Sequence, residues 1–260
     1  MKLLYLVRID CRQRYEGLVE IFAYMARHNN LGRSISVYEV DAAPYPGLAE
    51  TCLKMEIDYT FFEDHDQRFH RTKWSNKMVR ETADNVIAIC HADVLVPVGQ
   101  ILAAERAIAG GEKYVAAFGD ERDELGLMRA NARYLEHLQA GGEINAITVN
   151  DTMLDWPHKR RLGSYSGMVF LNRAFYVVAG MDDENIIGWG PEEVERHVRL
   201  TALGSGYRRI PGWAAHMPHP TAFSTAGQRT NNEIEFNRMH SMDADMIRQE
   251  VKRWKQIRGY

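Results

Sequence analysis

The sequence lacks the glycine-rich loops by which phosphates are most often cradled: there is no Walker-type loop and no G-x-G-x-x-G, which argues against a kinase, an NTPase or a dehydrogenase. Cysteine is scarce. The three present, Cys11, Cys52 and Cys90, are odd in number and show no metal spacing, so no disulfide framework is expected and a reducing, cytoplasmic setting suits the chain. Long hydrophobic runs are missing too, and the N-terminal run Leu3 to Val7 is too short for a signal segment or a membrane span and reads as a strand. Charge of one sign does not dominate: 32 basic against 35 acidic residues leave a net charge of -3, which gives no general reason to expect nucleic acid or a membrane as partner. No HExxH is found, so a zinc hydrolase has little support. Internal repeats, low-complexity tracts and a firm domain boundary are also lacking.

What is present is ordinary globular material. With 260 residues, 45% of them hydrophobic and 26% charged, the chain can bury a substantial core as one large domain, or as one domain with an appendage. Lys2 to Asp10 is apolar and then abruptly charged, the pattern of a buried strand in a parallel sheet. Apolar residues at helical spacing from Arg14 to His28 follow, then a second strand, Ser34 to Val40. This strand-helix-strand order implies a right-handed crossover and a nucleotide-type α/β domain with ligands beyond the carboxyl ends of the strands. Arg8, Asp10, Glu39 and Asp41 lie at those ends.

Further strands are predicted at Ile57 to Phe62, Val86 to Cys90, Tyr114 to Phe118, Ser166 to Leu171 and Tyr207 to Ile210, with helices at Phe69 to Ala83, Gly99 to Ala109 and Arg173 to Ala179. The helix from Phe69 carries Arg71, Lys73, Asn76 and Lys77, a face suited either to a phosphorylated ligand or simply to solvent. Val86 to Cys90 runs into His91-Ala92-Asp93, which puts a carboxylate at the carboxyl end of a central strand, a place for a cation, a ribose or a phosphate-bound metal. The stretch 120–162, strongly charged and containing His158-Lys159-Arg160-Arg161, suits a mobile loop or an acceptor-binding element. A helical tail from Asn231 to Lys255 is expected to pack Ile234, Met239, Met242, Met246 and Trp254 on the body or on a second subunit, a homodimer through that tail.

Two late motifs carry chemistry. In GWGPEEVERHVRL, Gly188 to Leu200, Pro191 suits the first turn of a helix and places Glu192 and Glu193 where the helix dipole favours negative charge. Val194, Val198 and Leu200 to Leu203 would hold that helix on a core, with Trp189 offering a flat apolar face beside the carboxylates. Then His216-Met217-Pro218-His219 sets two imidazoles three residues apart. Taken alone, the first motif is also ordinary capping and the second ordinary surface histidine.

Together with FHRTKWSN (Phe69 to Asn76), HADVLVP (His91 to Pro97) and SGMVFLNRAFYVVAGMDDENIIGWGPEE (Ser166 to Glu193), these segments resemble, in order and spacing, the GT-A glycosyltransferases. The likeness is to family-2-like enzymes and to the galactosyltransferase module of the β-1,4-galactosyltransferases, over about residues 1 to 220, with 120 to 162 and the C-terminal helix outside it. The resemblance implies an α/β fold with a mixed, Rossmann-like sheet flanked by helices. It also implies a UDP-sugar donor, a saccharide or glycoconjugate acceptor, and manganese or magnesium. Asp93 matches the last aspartate of the family's DxD motif, and His219 its C-terminal metal histidine, with His216 placed as a further ligand. Arg8, Asp10, Arg14, Glu39, Asp41, Arg71 and Asn76 fall at or near nucleotide-contacting positions, Glu193 at the base, Glu192 at an acceptor contact and Trp189 at the aromatic that packs on sugar. His91 stands where the family has the first aspartate of DxD.

The organisation this implies is a transferase domain over 1–225, with a nucleotide half at 1–118 and an acceptor and metal half at 163–220, and a helical appendage over 226–260. Inverting transfer, a retaining reaction like that of the polypeptide GalNAc-transferases, and a carbohydrate-binding protein with a decayed site all remain open at this stage. Surface polysaccharide assembly is what family habit suggests for such an enzyme. A nucleotide-sugar pyrophosphorylase is disfavoured because Asp10 to Tyr15 lacks a glycine-rich loop.

Overall fold

The continuous apolar runs become the centre of a seven-stranded sheet. A computed structural model describes the chain except residues 29–30, 120–126, 143, 145–152, 156–164, 189, 221–225 and 260, and except the side chains of 154–155 and 226–229. Strand β1 (Lys2–Val7) pairs in parallel with β2 (Ile35–Asp41) and β4 (Val86–Cys90), and β2 with β3 (Asp58–Glu63). Alternate residues of β1 point to opposite faces. Leu3, Tyr5 and Val7 join a core with Leu18, Ile21 and Phe22 of helix α1 (Arg12–Arg27), while Leu4 joins a second core with Met78 and Val79. Both faces being covered explains why β1 and β4 read as unbroken apolar runs.

The remaining elements in chain order are α2 (Leu48–Lys54), α3 (Arg71–Glu81), β5 (Val94–Leu95), α4 (Val98–Ala109), β6 (Tyr114–Ala116), β7 (Leu127–Ala130), α5 (Ala132–Gln139), β8 (Leu154–Asp155), β9 (Met168–Asn172), α6 (Arg173–Val178), α7 (Glu192–Ala202), β10 (Arg208–Arg209), β11 (Ala214–His216), α8 (Ala226–His240) and α9 (Ala244–Arg258). The large sheet has the order β10-β6-β9-β4-β1-β2-β3. β9 runs antiparallel to both β4 and β6, so the sheet is mixed. A second sheet, β5-β11-β7-β8, was not foreseen; its strands are two to four residues long, too short for periodicity to register. Of the charged stretch 120–162, β7, α5 and β8 are described, whereas His158 to Arg161 lie outside the described residues.

Helix α7 meets the expectation at Leu200 and Leu203 but not at its valines. Its buried residues are Glu192, Glu195, Arg196, Arg199 and Leu200, whereas Val194 and Val198 are only half-buried. The cause is the surface it meets. Gly180 (φ 89°) and Met181 (φ 57°) both take the left-handed conformation. Arg199 Nη1 donates to Ala179 O at 2.6 Å, and its other terminal nitrogen donates to Met181 O. Arg196 makes two bonds, of 2.7 and 3.0 Å, to Asp182, and Arg199 Nε donates to Glu195 at 2.6 Å. Buried carbonyls and a buried aspartate require donors, and guanidinium groups supply them where valines could not.

The tail packs back through Met239, Ile247, Val251 and Trp254 against Ala202 and Leu203. Ile234 and Met246, also expected inward, are 62% and 49% exposed. A side chain on Gly180 would meet Val251 Cγ1 at 3.1 Å and Trp254 Cε3 at 3.2 Å, so this glycine is required both by its backbone angle and by the approach of α9. Among the described residues no helix is long and apolar enough to cross a membrane.

Candidate functional site

At the carboxyl end of β4 the chain turns through His91 and Ala92 to Asp93, and β5 follows at once. β5 pairs with β11 so that His216 faces Val94, and Met217 N–H donates to Asp93 O at 2.7 Å. This backbone clamp carries the HMPH segment to the aspartate. His219 Nε2 lies 3.0 Å from Asp93 Oδ2, and His216 Nε2 lies 3.8 Å from the same oxygen. Arg14, on the first turn of α1 and held by Asp10 through a 2.8 Å bond, donates to Asp93 Oδ2 at 3.0 Å. Burial would raise the Asp93 pKa, but the His219 hydrogen bond, His216, His91 and Arg14 together hold it well below the usual carboxylate range.

The two histidines differ. The hydrogen bond to Asp93 raises His219, whose Nδ1 also lies 2.8 Å from Pro220 O. Burial lowers His216. One carboxylate oxygen and two imidazole nitrogens of Asp93, His216 and His219 all lie within 4.8 Å of one another. Two ligands each about 2.2 Å from one ion are at most roughly 4.4 Å apart, so the set needs to close by only a few tenths of an ångström. A mixed oxygen and nitrogen set suits manganese better than calcium. The residues therefore fit a divalent cation, to which both histidines would present neutral imidazole nitrogens.

His91 turns the other way. Its Nε2 lies 2.5 Å from Glu193 Oε1, so the acidic pair at the start of α7 is joined to the cation cluster through the two-residue step from His91 to Asp93. Arg71, the first residue of α3, donates to Glu192 Oε1 at 3.1 Å and lies 3.8 Å from Glu193. Glu192 is 3% exposed and its second oxygen accepts the Gly190 N–H at 3.1 Å. Burial, with Glu193 alongside, pushes Glu192 up to about 7 against the pull of Arg71. Burial would do the same to Glu193, but His91, then Arg71 and Arg196, bring it down to about 2. Two adjacent glutamates are thus driven apart, and Glu193 is the ionised one at neutral pH.

The other sequence-derived candidates are scattered in role. Arg8 ties strand ends together, donating to Val40 O and Asp66 O at 2.9 Å each, with its guanidinium over the Phe69 ring. Asp41, at the end of β2, accepts the Ala42 N–H at 2.8 Å and lies 3.9 Å from Arg8. Glu39 is 1% exposed and both its oxygens are used, accepting Tyr45 N–H and Tyr59 O–H at 2.5 Å each. Asn76 is fully buried, bonded to Asp182 N–H, Asp182 O and Glu184 Oε1. Glu39 and Asn76, expected at nucleotide-contacting positions, thus have their side-chain polar atoms engaged by internal partners. Arg71 is engaged with the acidic pair. Trp189 lies outside the described residues.

Sequence reasoning missed the contact of His91 with Glu193, although its place two residues before Asp93 at a strand end was the available signal. It also missed an aromatic wall. His197, four residues beyond Glu193 on α7 and so on a neighbouring part of its surface, stacks on Tyr165 with centroids 3.5 Å apart at 7°. Tyr207 packs edge-on to both, and Arg209 lies over both tyrosine rings. Burial, with Arg209 nearby, lowers His197 to about 4, so it is neutral at physiological pH.

No protein-family model matches the chain, and no curated protein does. Solved structures do. A mannosyltransferase from Pyrobaculum calidifontis, in complex with GDP-Man and Mn2+, is 12% identical with a TM-score of 0.53, over 98% of this chain and 68% of its own. The catalytic domain of Drosophila beta1,4-galactosyltransferase 7, in complex with xylobiose, is 14% identical with a TM-score of 0.54, over 94% of this chain and 82% of its own. GalNAc-T7, with UDP, GalNAc and Mn2+, is 11% identical with a TM-score of 0.63, over 91% of this chain and 47% of its own. At such identities the likeness establishes architecture: the chain has the GT-A fold, with a mixed sheet between layers of helices.

Proposed function

We propose that this chain is a metal-dependent glycosyltransferase that moves a sugar from a UDP-sugar to a saccharide hydroxyl with inversion. The observation that carries the reading is the convergence of Asp93, His216 and His219 within 4.8 Å, with His91, two residues from Asp93, in contact with Glu193. Asp93, His216 and His219 would hold a divalent cation, which supplies Lewis-acid stabilisation of the charge that develops on a leaving diphosphate. Arg14, already directed at Asp93, adds a fixed positive charge at the same place. Glu193, ionised and oriented by His91 and Arg71, takes the proton of the acceptor hydroxyl as it attacks the anomeric carbon. Glu192, its oxygens held by Arg71 and the Gly190 N–H, fixes the first turn of α7, and an acceptor hydroxyl would reach it by displacing one of those partners. In this reading residues 1–118 hold the nucleotide, 163–220 the cation and acceptor, and 226–260 form an appendage braced on α7.

Likeness to structures binding GDP-Man in one case and UDP in another makes the nucleotide the first thing to test. Release of UDP or GDP should be measured from a panel of UDP- and GDP-sugars, with and without manganese and saccharide acceptors. Manganese-dependent release from a UDP-sugar, stimulated by an acceptor and abolished by excess chelator, is expected. No release from any donor would replace the transferase reading by a carbohydrate-binding one, and full release in chelator would remove the cation from the mechanism.

A further inference from the structure

Helix α9 carries five basic residues, Arg248, Lys252, Arg253, Lys255 and Arg258. Its arginines are engaged within the protein: Arg248 with Asp245, Arg253 with Glu250, and Arg258 with the carbonyls of Gly180 and Asp182. The Lys252 and Lys255 side chains make no ion pair or hydrogen bond among the described residues. Both line a groove of about 510 Å³ between α6 and α9, and Arg248 joins them there at i, i+4 and i+7 spacing, a single stripe along the helix. The floor is apolar, formed by Phe175, Val178, Leu203 and Val251. Val178, the last residue of α6, is 65% exposed, so the apolar surface is open rather than covered. Lys113 lies over the Phe175 ring at 4.9 Å and adds positive charge beside the floor.

This groove shares no lining residue with the cation cluster or the acidic pair. A free anion would need the lysines but not the floor, and an uncharged hydrocarbon the floor but not the lysines. A second copy related by a twofold axis through the groove would set this lysine stripe against its own image, an unfavourable like-charge contact. We propose that the α6–α9 groove binds an anionic amphiphile, with the alkyl chain on Phe175, Val178, Leu203 and Val251 and the acidic head between Lys252 and Lys255. The site is independent of the transferase reading.

Calorimetric titration of the full chain with decyl phosphate, below its micellar concentration, tests this, with inorganic phosphate and the neutral decyl maltoside as controls. Decyl phosphate should bind, and both controls should bind at least about ten-fold more weakly, since a charge-assisted contact and a buried alkyl chain are each worth that much. Lys252→Glu/Lys255→Glu should weaken decyl phosphate about ten-fold or more while lowering the melting temperature by no more than about 2 to 4 °C, because neither side chain makes an ion pair or hydrogen bond among the described residues and the last-turn position of Lys255 is worth about 1 kcal/mol at most. Val178→Asp should have the same effect on binding. Equal binding of phosphate, equal binding of the maltoside, concentration-dependent dimerisation abolished by Val178→Asp with no uptake of decyl phosphate, or unchanged affinity in the double variant would each overturn the proposal.

Discussion

Replacing Arg196 by methionine isolates the buried charge network that orients the helix bearing the two glutamates. Arg196 and Asp182 are 3% and 2% exposed and are joined by hydrogen bonds of 2.7 and 3.0 Å. Burial would raise the Asp182 pKa, yet Arg196, with Tyr176 and Arg199, keeps it below the ordinary aspartate value, so Asp182 is charged in the folded protein. Methionine fills the volume of the arginine stem and removes the charge. Among the described residues, the Asp182 carboxylate then keeps its 2.7 Å bond from Tyr176 O–H and the more distant pull of Arg199. Breaking one side of such a buried pair costs about 3 to 5 kcal/mol. For a chain of this size each kcal/mol lowers the melting temperature by about 2 to 4 °C, so a fall of roughly 6 to 20 °C is expected. Urea denaturation followed by circular dichroism, with a thermal scan alongside, provides the measurement. Arg196→Met/Asp182→Asn, which removes both charges, should recover part of the loss, because the uncompensated carboxylate is the main cost. A loss below about 1 kcal/mol in the single variant, or a double variant no more stable than the single, would refute the assignment of that network as the support of α7.

Glu193→Gln should leave binding of UDP with manganese unchanged by calorimetry while lowering turnover by about 10² to 10⁴, the usual contribution of a general base; undiminished transfer would remove it from that role. Manganese at about 100 times its dissociation constant should stabilise the chain by about 2.7 kcal/mol in a thermal shift assay, and Asp93→Ala or His219→Ala should abolish that shift; retention in Asp93→Ala would place the ion elsewhere. Stability should also fall with alkalinity at one identifiable group. Burial, then Glu195 and Glu235, push Asp183 up to about 8, above the roughly 3.9 of an unfolded aspartate, so the folded state holds its proton more tightly. Its stabilising contribution is complete below about pH 4 and is lost as the pH rises through about 8. Asp183→Asn should therefore flatten the decline between pH 5 and 8 seen by urea denaturation, and an equally steep decline in the variant would show that another group carries it.

The large sheet was legible because burial on both faces leaves an unmistakable apolar run. Val86 to Cys90 is a strand over the very residues expected, and β1, β2 and β9 differ from expectation only at their ends. The small sheet was not, since Val94–Leu95 and Ala214–His216 are held by pairing across the chain rather than by any local pattern. Helix α7 misled for a related reason. Its valines have the right spacing for a core, but the loop it meets presents carbonyls and a carboxylate, so the charged stripe is the one that turns inward. Glu39 and Asn76 illustrate the limit for sites. A polar residue at a strand end or on a helix face can face a ligand or brace its neighbours, and only the partners decide. His91 shows the converse: its substitution for an acidic residue was visible, whereas the glutamate it touches lies 102 positions later, by the numbers 193 and 91.

The clamp between Asp93 O and Met217 N–H has a bearing on biogenesis. His219 and Asp93 meet across a separation of 126 residues, and the strands that join them are each only two or three residues long. Neither segment can hold that pairing by itself, so it forms once the large sheet has set the strand ends in place. Manganese would consequently find its full ligand set at the close of maturation rather than template it. Ion uptake would then report that the chain has closed, because without residues 214–219 the ion would meet Asp93 alone of the three ligands.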